Sequence, residues 1–215
     1  MAHASDASTP DICHRDLMLA RPGTYGWATG WIYELEYAGF RCLAIKRGTH
    51  VRILSRRGRD MARAFPELVQ SMRALPEVVL DGELAICDET GCPNFERLGA
   101  RSRMRDSERI RLAAVADPAV MFAFDLLVLA GEDYRHYPLM RRKASLACTL
   151  TTSERIVYAR HFDRVGEELL ALAQQFAAKG IIAKDGSAPY RAGHTDRWLK
   201  MKSAAGGEWE MSPIR

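Results

Sequence analysis

The chain has 215 residues, of which 47% are hydrophobic and 27% charged, so it can bury a full core as one domain. A net charge of +4 is compatible with nucleic-acid binding but does not demand it. The most apolar run, Ala119 to Ala130, contains Asp125 and is too short to span a bilayer. Residues 1–10 lack the apolar stretch of a secretory signal. We therefore expect a soluble, cytoplasmic protein with no membrane partner.

The cysteines are scattered rather than grouped as metal ligands. There are five, and no CxxC pair occurs. Zinc sites normally need closely spaced pairs of cysteine or histidine. The spacing therefore favours reduced, mostly buried thiols.

The first part of the chain is predicted to consist of short strands. Alternating apolar residues indicate strands over Trp31 to Glu36, Phe40 to Arg47 and Val51 to Ser55. A turn-like Arg47-Gly48-Thr49-His50 separates the last two. We predict that these three strands form an antiparallel meander. Val78 to Cys87 also has the alternation of a strand.

Helices and strands are mixed in the rest of the chain. Asp60 to Leu75 has a helical pattern, with Pro66 breaking or restarting it. A second helix is predicted from apolar residues at spacings of four, three and four, at Val165, Leu169, Leu172 and Phe176. Further strands are predicted over Ala119 to Leu129, Ile181 to Lys184 and Trp198 to Lys202.

This order of elements favours an α+β domain with mainly antiparallel sheets flanked by helices, because hairpins come first and no strict βαβ alternation follows. Neither GxGxxG nor GxxxxGK occurs. We therefore do not expect a Rossmann or P-loop nucleotide site.

Basic residues are concentrated in two stretches. Arg141, Arg142 and Lys143 form one cluster, and the other stretch contains Arg97, Arg101, Arg103, Arg105, Arg109 and Arg111. Such residues either contact nucleic-acid phosphates or lie on solvated helix faces. Acidic residues are interleaved with them, for example Glu96 and Glu108, so both interpretations stay open.

Six short segments place charged side chains in strand-like, apolar surroundings. Each alone is more typical of a strand with charged outward positions. Buried charge, however, must be paired or bind a charged ligand, and several basic residues converging with two glutamates would suit a nucleotide phosphate chain. The basic residues are Arg41, Arg56, Lys184, Lys200 and Lys202, and the glutamates are Glu34 and Glu83. The segments span positions 34–41, 54–58, 80–84, 122–127, 179–184 and 198–202.

In order and spacing, these segments resemble the motifs of covalent nucleotidyltransferases, most closely the adenylation domain of bacterial ATP-dependent DNA ligases. The resemblance covers Leu17 to Lys202 and includes connecting stretches between Gly131 and Lys143. It implies the adenylation-domain fold, ATP and Mg²⁺ as cofactors, and nicked duplex DNA as a partner in repair or recombination.

The resemblance also implies contacts to the base and sugar of the nucleotide. Phe124 would stack on adenine, and Glu34 would help to recognise the base. Arg41 and Arg56 are similar to the family's ribose and nucleotide contacts.

Further residues are implied for the phosphates and the metal. Glu83 is similar to the acid that serves the ribose and the metal ion. Lys200 and Lys202 resemble the pair that holds the α-phosphate, and Lys184 resembles the lysine that closes the fourth motif.

Two motifs depart from the family pattern. The first motif of the family reads Lys-x-Asp-Gly, and its lysine attacks the α-phosphorus of ATP; here Glu36-Tyr37-Ala38-Gly39 occupies these positions. The fourth motif opens with Lys179 instead of glutamate. We expect no lysyl-adenylate, because Glu36 has no amine and its carboxylate repels a triphosphate.

Glu36 and Lys179 exchange the signs that the family has at these two positions. This reversal leads to the hypothesis that they form an ion pair within or near the pocket. The alternative, that the two positions changed independently, stays open.

We divide the chain into a flexible N-terminal segment (1–16), the adenylation domain (17–202) and a C-terminal tail (203–215). We expect no OB-fold domain, which a separate chain or repair partner would have to supply. One functional hypothesis is a ligase-family enzyme that adenylates itself and then a nicked 5′-phosphate. The alternative is a non-catalytic module that binds nucleotide or DNA in repair. A relative of RNA-capping enzymes or RNA ligases is a third, weaker reading.

Overall fold

The computed structural model describes residues 10–23, 29–165, 167–176 and 178–201. Within these residues, most of the chain is in strands joined by short helices and turns. In chain order the strands are β1 (Met18–Pro22), β2 (Trp31–Leu35), β3 (Phe40–Arg47), β4 (His50–Ser55), β5 (Val78–Ile86), β6 (Ala119–Leu129), β7 (Glu132–Asp133), β8 (Ile156–Tyr158), β9 (His161–Phe162), β10 (Ile181–Asp185) and β11 (Gly193–Met201).

The helices begin at residues whose chemistry favours a helix start. Pro66 is the first residue of α1, where its missing N–H costs no hydrogen bond. Asn94 caps α2 by accepting from the Arg97 N–H at 3.0 Å, and Asp106 caps α3 through Arg109 at 2.7 Å. The described helices are α1 (Pro66–Arg73), α2 (Phe95–Arg103), α3 (Ser107–Ala116), α4 (Leu139–Thr149) and α5 (Glu167–Gln175), with 3-10 turns at His14–Asp16 and Ala62–Ala64. None of these helices has the length and apolar character needed to cross a bilayer.

The strands form two sheets. One has five strands in the order β1-β11-β10-β2-β9, and the other has the order β4-β3-β5-β6-β7, with β8 added beside β6. Neighbouring strands are antiparallel, except that β1 pairs with β11 and β6 with β8 in parallel. The predicted α+β class with mainly antiparallel sheets is confirmed.

The alternation of side chains along each strand divides the core into layers. On β3, Cys42 and Ala44 pack with the apolar face of α1, whereas Leu43 and Ile45 face the opposite way and pack with residues of β11 such as Trp198. On β2, Tyr33 and Leu35 pack under α5.

This alternation determines which side chains enter the space between the sheets. Because Tyr33 and Leu35 face α5, Glu34 faces the other sheet. Ile181 and Ala183 on the neighbouring β10 also face α5, so Lys184 lies on the same side as Glu34. The apolar pattern of the strands thus places charged residues in the interior.

The prediction that β2, β3 and β4 form one antiparallel meander is wrong for β2. β3 and β4 form the expected hairpin, but β2 lies in the other sheet between β9 and β10. Residues 36–39 carry the chain from one sheet to the other. The partners of β2 lie more than a hundred residues away along the chain, so local pattern could not identify them.

The N-terminal boundary of the packed region precedes Leu17. Ile12 is buried and belongs to the core cluster between the sheets, and residues 14–16 form a 3-10 turn. Residues 1–9 and the tail 203–215 lie outside the described residues.

Candidate functional site

A cavity of about 200 Å³ lies between the two sheets. Strands from both sheets contribute to its lining, together with the segments that follow β2 and β4. It collects almost every charged residue singled out in the sequence. The charged lining residues are Glu34, Glu36, Arg41, Arg56, Glu83, Lys179, Lys184 and Lys200. Lys202, the second lysine of the last segment, lies outside the described residues.

Glu34 is held by two lysines at the buried end of the cavity. Its two carboxylate oxygens accept from Lys143 and Lys184, each at 2.6 Å. Burial alone would raise the pKa of Glu34, but the attraction of the two lysines outweighs it and lowers the pKa below its ordinary value. Burial also favours the neutral form of Lys184. It lowers the pKa of this lysine to about 8, while the charge of Glu34 acts in the opposite direction. The carboxylate of Glu34 is therefore already satisfied by the protein itself.

Arg41 is also fully engaged by another side chain. Its guanidinium forms a two-pronged pair with Asp81, with both N···O distances at 2.6 Å, and donates to the Met18 carbonyl at 3.1 Å. The Tyr190 hydroxyl donates to the same carboxylate at 2.6 Å. This geometry fixes Arg41 against the floor of the cavity.

Phe124 lies beside both of these cations. The Arg41 guanidinium carbon is 4.4 Å from the centroid of the Phe124 ring, and the Lys184 ammonium is 4.2 Å from it. Trp198 packs against the ring edge at 6.1 Å between centroids. Only 9% of Phe124 is exposed, so little of the ring is open to a stacked base.

Glu36 forms an ion pair with Lys200 of β11. Its backbone is bonded to the segment before β10, because the Glu36 N–H donates to Gly180 at 2.9 Å and the Lys179 N–H donates to Glu36 at 3.0 Å. The Lys179 side chain is exposed, and its ammonium lies 5.1 Å from the centroid of the Phe95 ring. The hypothesis of a Glu36–Lys179 ion pair is therefore wrong: the two backbones are adjacent, but the side chains diverge.

The second carboxylate oxygen of Glu36, Oε2, is buried and has no hydrogen-bond partner among the described residues. The close approach of this oxygen to the chain at Gly180 requires a residue without a side chain. A Cβ at Gly180 would lie 3.1 Å from the oxygen and 2.3 Å from the Met201 carbonyl. A buried acceptor without a donor is costly. The Glu36 carboxylate is therefore paired with Lys200 through one oxygen and has no hydrogen-bond donor on the other among the described residues.

Glu83 faces the same part of the cavity. Burial raises its pKa to about 7; Arg41 and Lys179 act in the opposite direction, and Glu36 adds to the increase. Near neutral pH this carboxyl exists in both protonation states.

The raised pKa of Glu83 predicts a pH-dependent loss of stability. Between pH 4.5 and about 7 the folded chain retains a proton that the unfolded chain has released. The free energy of unfolding should therefore fall as the pH rises through this window. Replacing Glu83 with glutamine removes this fall, which denaturant unfolding at several pH values would measure as a difference between variant and wild type. A difference that is constant from pH 4 to 8 would contradict the raised pKa.

A second, larger cavity of about 820 Å³ adjoins the first and shares Glu36, Arg41, Arg56 and Glu83 with it. It runs between the turn after β4 and helix α2. Five arginines line it. Arg41 is paired with Asp81, the other four form no ion pair within the described residues, and the exposed ring of Phe95 lies among them. We call this surface the basic groove and define it by Arg56, Arg57, Arg59 and Arg103.

The two basic clusters of the sequence do not lie together on one surface. Arg101 is buried and bonds Glu67 at 2.6 Å and the Ala64 carbonyl at 3.0 Å. Arg142 and Lys143 are buried as well. For these three residues, both the phosphate-contact and the solvated-face interpretations are wrong, because each compensates a buried partner.

Asp81, Lys143 and Trp198 are important residues of the site that the sequence analysis did not assign to it. A signal for Lys143 was present. In helix α4 the spacing of Leu139, Lys143 and Leu146 is four and three, so the lysine lies on the apolar stripe of the helix. A lysine on such a stripe indicates a buried partner.

Comparison with known proteins identifies the family. Residues 25–202 match the family model described as ATP dependent DNA ligase domain. DNA ligase C of Mycobacterium tuberculosis is 42% identical over 123 residues, covering 56% of this chain and 34% of that protein. A probable DNA ligase of Sorangium cellulosum is 35% identical over 181 residues, covering 80% of this chain and 33% of that protein. The chain thus spans about a third of the length of these curated relatives.

The fold agrees with the sequence match. The crystal structure of the ligase domain of M. tuberculosis LigD superposes with a TM-score of 0.71 at 27% identity, covering 87% of this chain and 60% of that one. Mycobacterial DNA ligase D in complex with ATP superposes with a TM-score of 0.69 at 28% identity, with the same coverage. The chain belongs to the ATP-dependent DNA ligase family and has the fold of its adenylation domain.

Proposed function

We propose that this domain binds nicked DNA in a repair context and does not form a lysyl-adenylate. The observation that carries the proposal is the ion pair between Glu36, at the position of the nucleophile, and Lys200. A carboxylate lacks the amine that attacks phosphorus. It also neutralises the lysine that the family resemblance assigns to the α-phosphate.

The residues of the cavity do not fit ATP. A volume of about 200 Å³ leaves little room for a triphosphate beside a nucleoside, since typical small-molecule sites have roughly 300–1,000 Å³. Arg41 and Lys184 lie against the ring of Phe124 and are paired with Asp81 and Glu34. Together with Lys200, which is paired with Glu36, three lining cations are already neutralised, and Arg56 and Lys179 are the lining cations without an ion pair among the described residues.

The residues do not fit Mg²⁺ either. Magnesium in nucleotide sites is held by one or two carboxylates together with phosphate oxygens. Glu83 is the family-type acid, but Lys179 stands where the family has a second acid and adds positive charge to the same cavity. Among the described residues, no group of three His, Cys, Asp or Glu is arranged to hold a metal ion.

The basic groove supports the DNA part of the proposal. It is about 820 Å³ in volume, and its arginines form no ion pairs with described residues, so they remain available for phosphates. The similar proteins are DNA ligases.

Labelling with ATP radioactive at the α-phosphate tests the proposal. We expect no covalent label on the wild-type protein. The matched comparison is the triple variant Glu36→Lys, Ala38→Asp, Lys179→Glu, which restores the family's residues at the three positions. Label on the wild type would contradict the proposal.

A second candidate is residual transfer through Lys179. The supporting observation is that this exposed lysine lines the cavity beside Glu83 and forms no ion pair with described residues. In that case wild-type label would disappear in Lys179→Ala. It would persist in Lys46→Ala, which removes a half-buried lysine outside the cavity lining.

A further inference from the structure

We propose that Glu36 determines the ligand specificity of the cavity by acting as a built-in anion on Lys200. Its carboxylate occupies the anion-binding position of that lysine, so a ligand phosphate is disfavoured at Lys200 and uncharged nucleosides are favoured over their phosphates. The inference rests on the proposed lack of self-adenylation.

The Glu36–Lys200 pair is more accessible to a ligand than the two ion pairs of Glu34. The side chains of Lys200 and Glu36 are 35% and 20% exposed, whereas Glu34 and its two lysines are buried. A ligand phosphate approaching Lys200 must therefore displace Glu36 or lie beside it. Either course costs free energy, because the carboxylate competes for the same ammonium and repels the phosphate.

Two carboxyls, those of Glu36 and Glu83, face this part of the cavity, while Arg56 and Lys179 are the lining cations without an ion pair among the described residues. Glu36 Oε2 is buried without a donor. The carboxyl of Glu83 lines the same two cavities as Glu36. Around Lys200, these carboxyls favour ligand groups that donate hydrogen bonds, such as hydroxyls, over anions, which only accept. A nucleoside matches these acceptors better than its phosphate ester does.

Neutralising Glu36 should expose Lys200 to a phosphate. AMP and adenosine are suitable probes because they differ only in the phosphate group. In isothermal titration calorimetry, Glu36→Gln should bind AMP roughly tenfold more tightly than wild type does, since a charge-assisted hydrogen bond to Lys200 becomes available. Adenosine affinity should change little. Glu36→Ala should show the same gain, which makes the result independent of any hydrogen bond from glutamine.

Two further variants identify the origin of the gain. In Glu36→Gln combined with Lys200→Gln, the gain in AMP affinity should be lost, because the exposed cation is absent. Asp133→Asn is a matched control outside the cavity: it breaks a pair with Arg135 in which both side chains are about 30% exposed, and it should leave AMP binding unchanged.

The outcomes separate this inference from the proposed function. Self-labelling of the wild type with ATP would contradict the proposed function. The specificity role of Glu36 is overturned if Glu36→Gln and Glu36→Ala, shown to be folded by circular dichroism, gain no affinity for AMP. It is also overturned if adenosine affinity rises equally. The gain would then come from the changed size of the side chain at position 36 and not from the loss of its charge.

Discussion

Replacing Asp125 with alanine is expected to destabilise the domain by about 3–5 kcal/mol, because it leaves a buried arginine without its counter-ion. Asp125 and Arg142 are both fully buried and joined by two hydrogen bonds of 2.7 and 2.8 Å. The guanidinium also donates to the carbonyls of Tyr137 and Ala188. These two acceptors cannot offset its charge. Denaturant unfolding at pH 7 would measure the loss.

An exposed ion pair provides the control for this prediction. Glu108 and Arg111 lie 2.6 Å apart on α3, with 63% and 70% of their side chains exposed. Glu108→Ala should cost less than about 1 kcal/mol. Similar losses in the two variants would mean that Arg142 finds a new partner or that water reaches it.

The Asp125–Arg142 pair also connects the core to the candidate site. Arg142 precedes Lys143 on α4, and Lys143 reaches Glu34 at 2.6 Å. Loss of Asp125 would therefore loosen the helix that carries one of the two lysines on Glu34. Asp125→Ala should consequently weaken any ligand binding in the cavity even in those molecules that remain folded.

The strands of the six-stranded sheet were largely predictable from sequence. β3 and β6 have the predicted bounds, Phe40–Arg47 and Ala119–Leu129. In β3, apolar and polar residues alternate and a clear turn follows. β6 is a nearly continuous apolar run, which is typical of a buried strand. Helix α3 was not predicted: Leu112 and Val115 are exposed on it, so it lacks the simple apolar stripe that a sequence pattern would reveal.

The convergence of charges was predictable, but their pairing was not. Resemblance to the ligase motifs brought Arg41, Glu83, Lys184 and Lys200 to one cavity, and the structure places them there. The partner of each depends on side-chain direction. The sign reversal at positions 36 and 179 led to the prediction of an ion pair, which is wrong. The two backbones are bonded to each other, but the sequence contains no information that Lys179 turns towards Phe95.

Removing three arginines of the basic groove should weaken binding to nicked duplex DNA and make it less dependent on salt. Each phosphate contact contributes about 0.9 to the slope of log K against log salt. The triple variant Arg56→Ala, Arg57→Ala, Arg59→Ala should therefore lower the magnitude of that slope by about 2–3. Fluorescence anisotropy with a labelled nicked duplex, from low to physiological salt, would measure it.

A second triple variant separates the groove from net charge. Arg73, Arg109 and Arg164 are exposed, form no ion pairs with described residues, and do not line the groove. Replacing them with alanine removes the same charge but should change the slope by less than about 1, since long-range attraction is screened within about 10 Å at 0.1 M salt. Equal effects of the two triple variants would mean that DNA responds to overall charge. A selective effect would assign the phosphates to the groove, and Glu36 on its wall would then repel the bound strand at the point where the family's lysine would act.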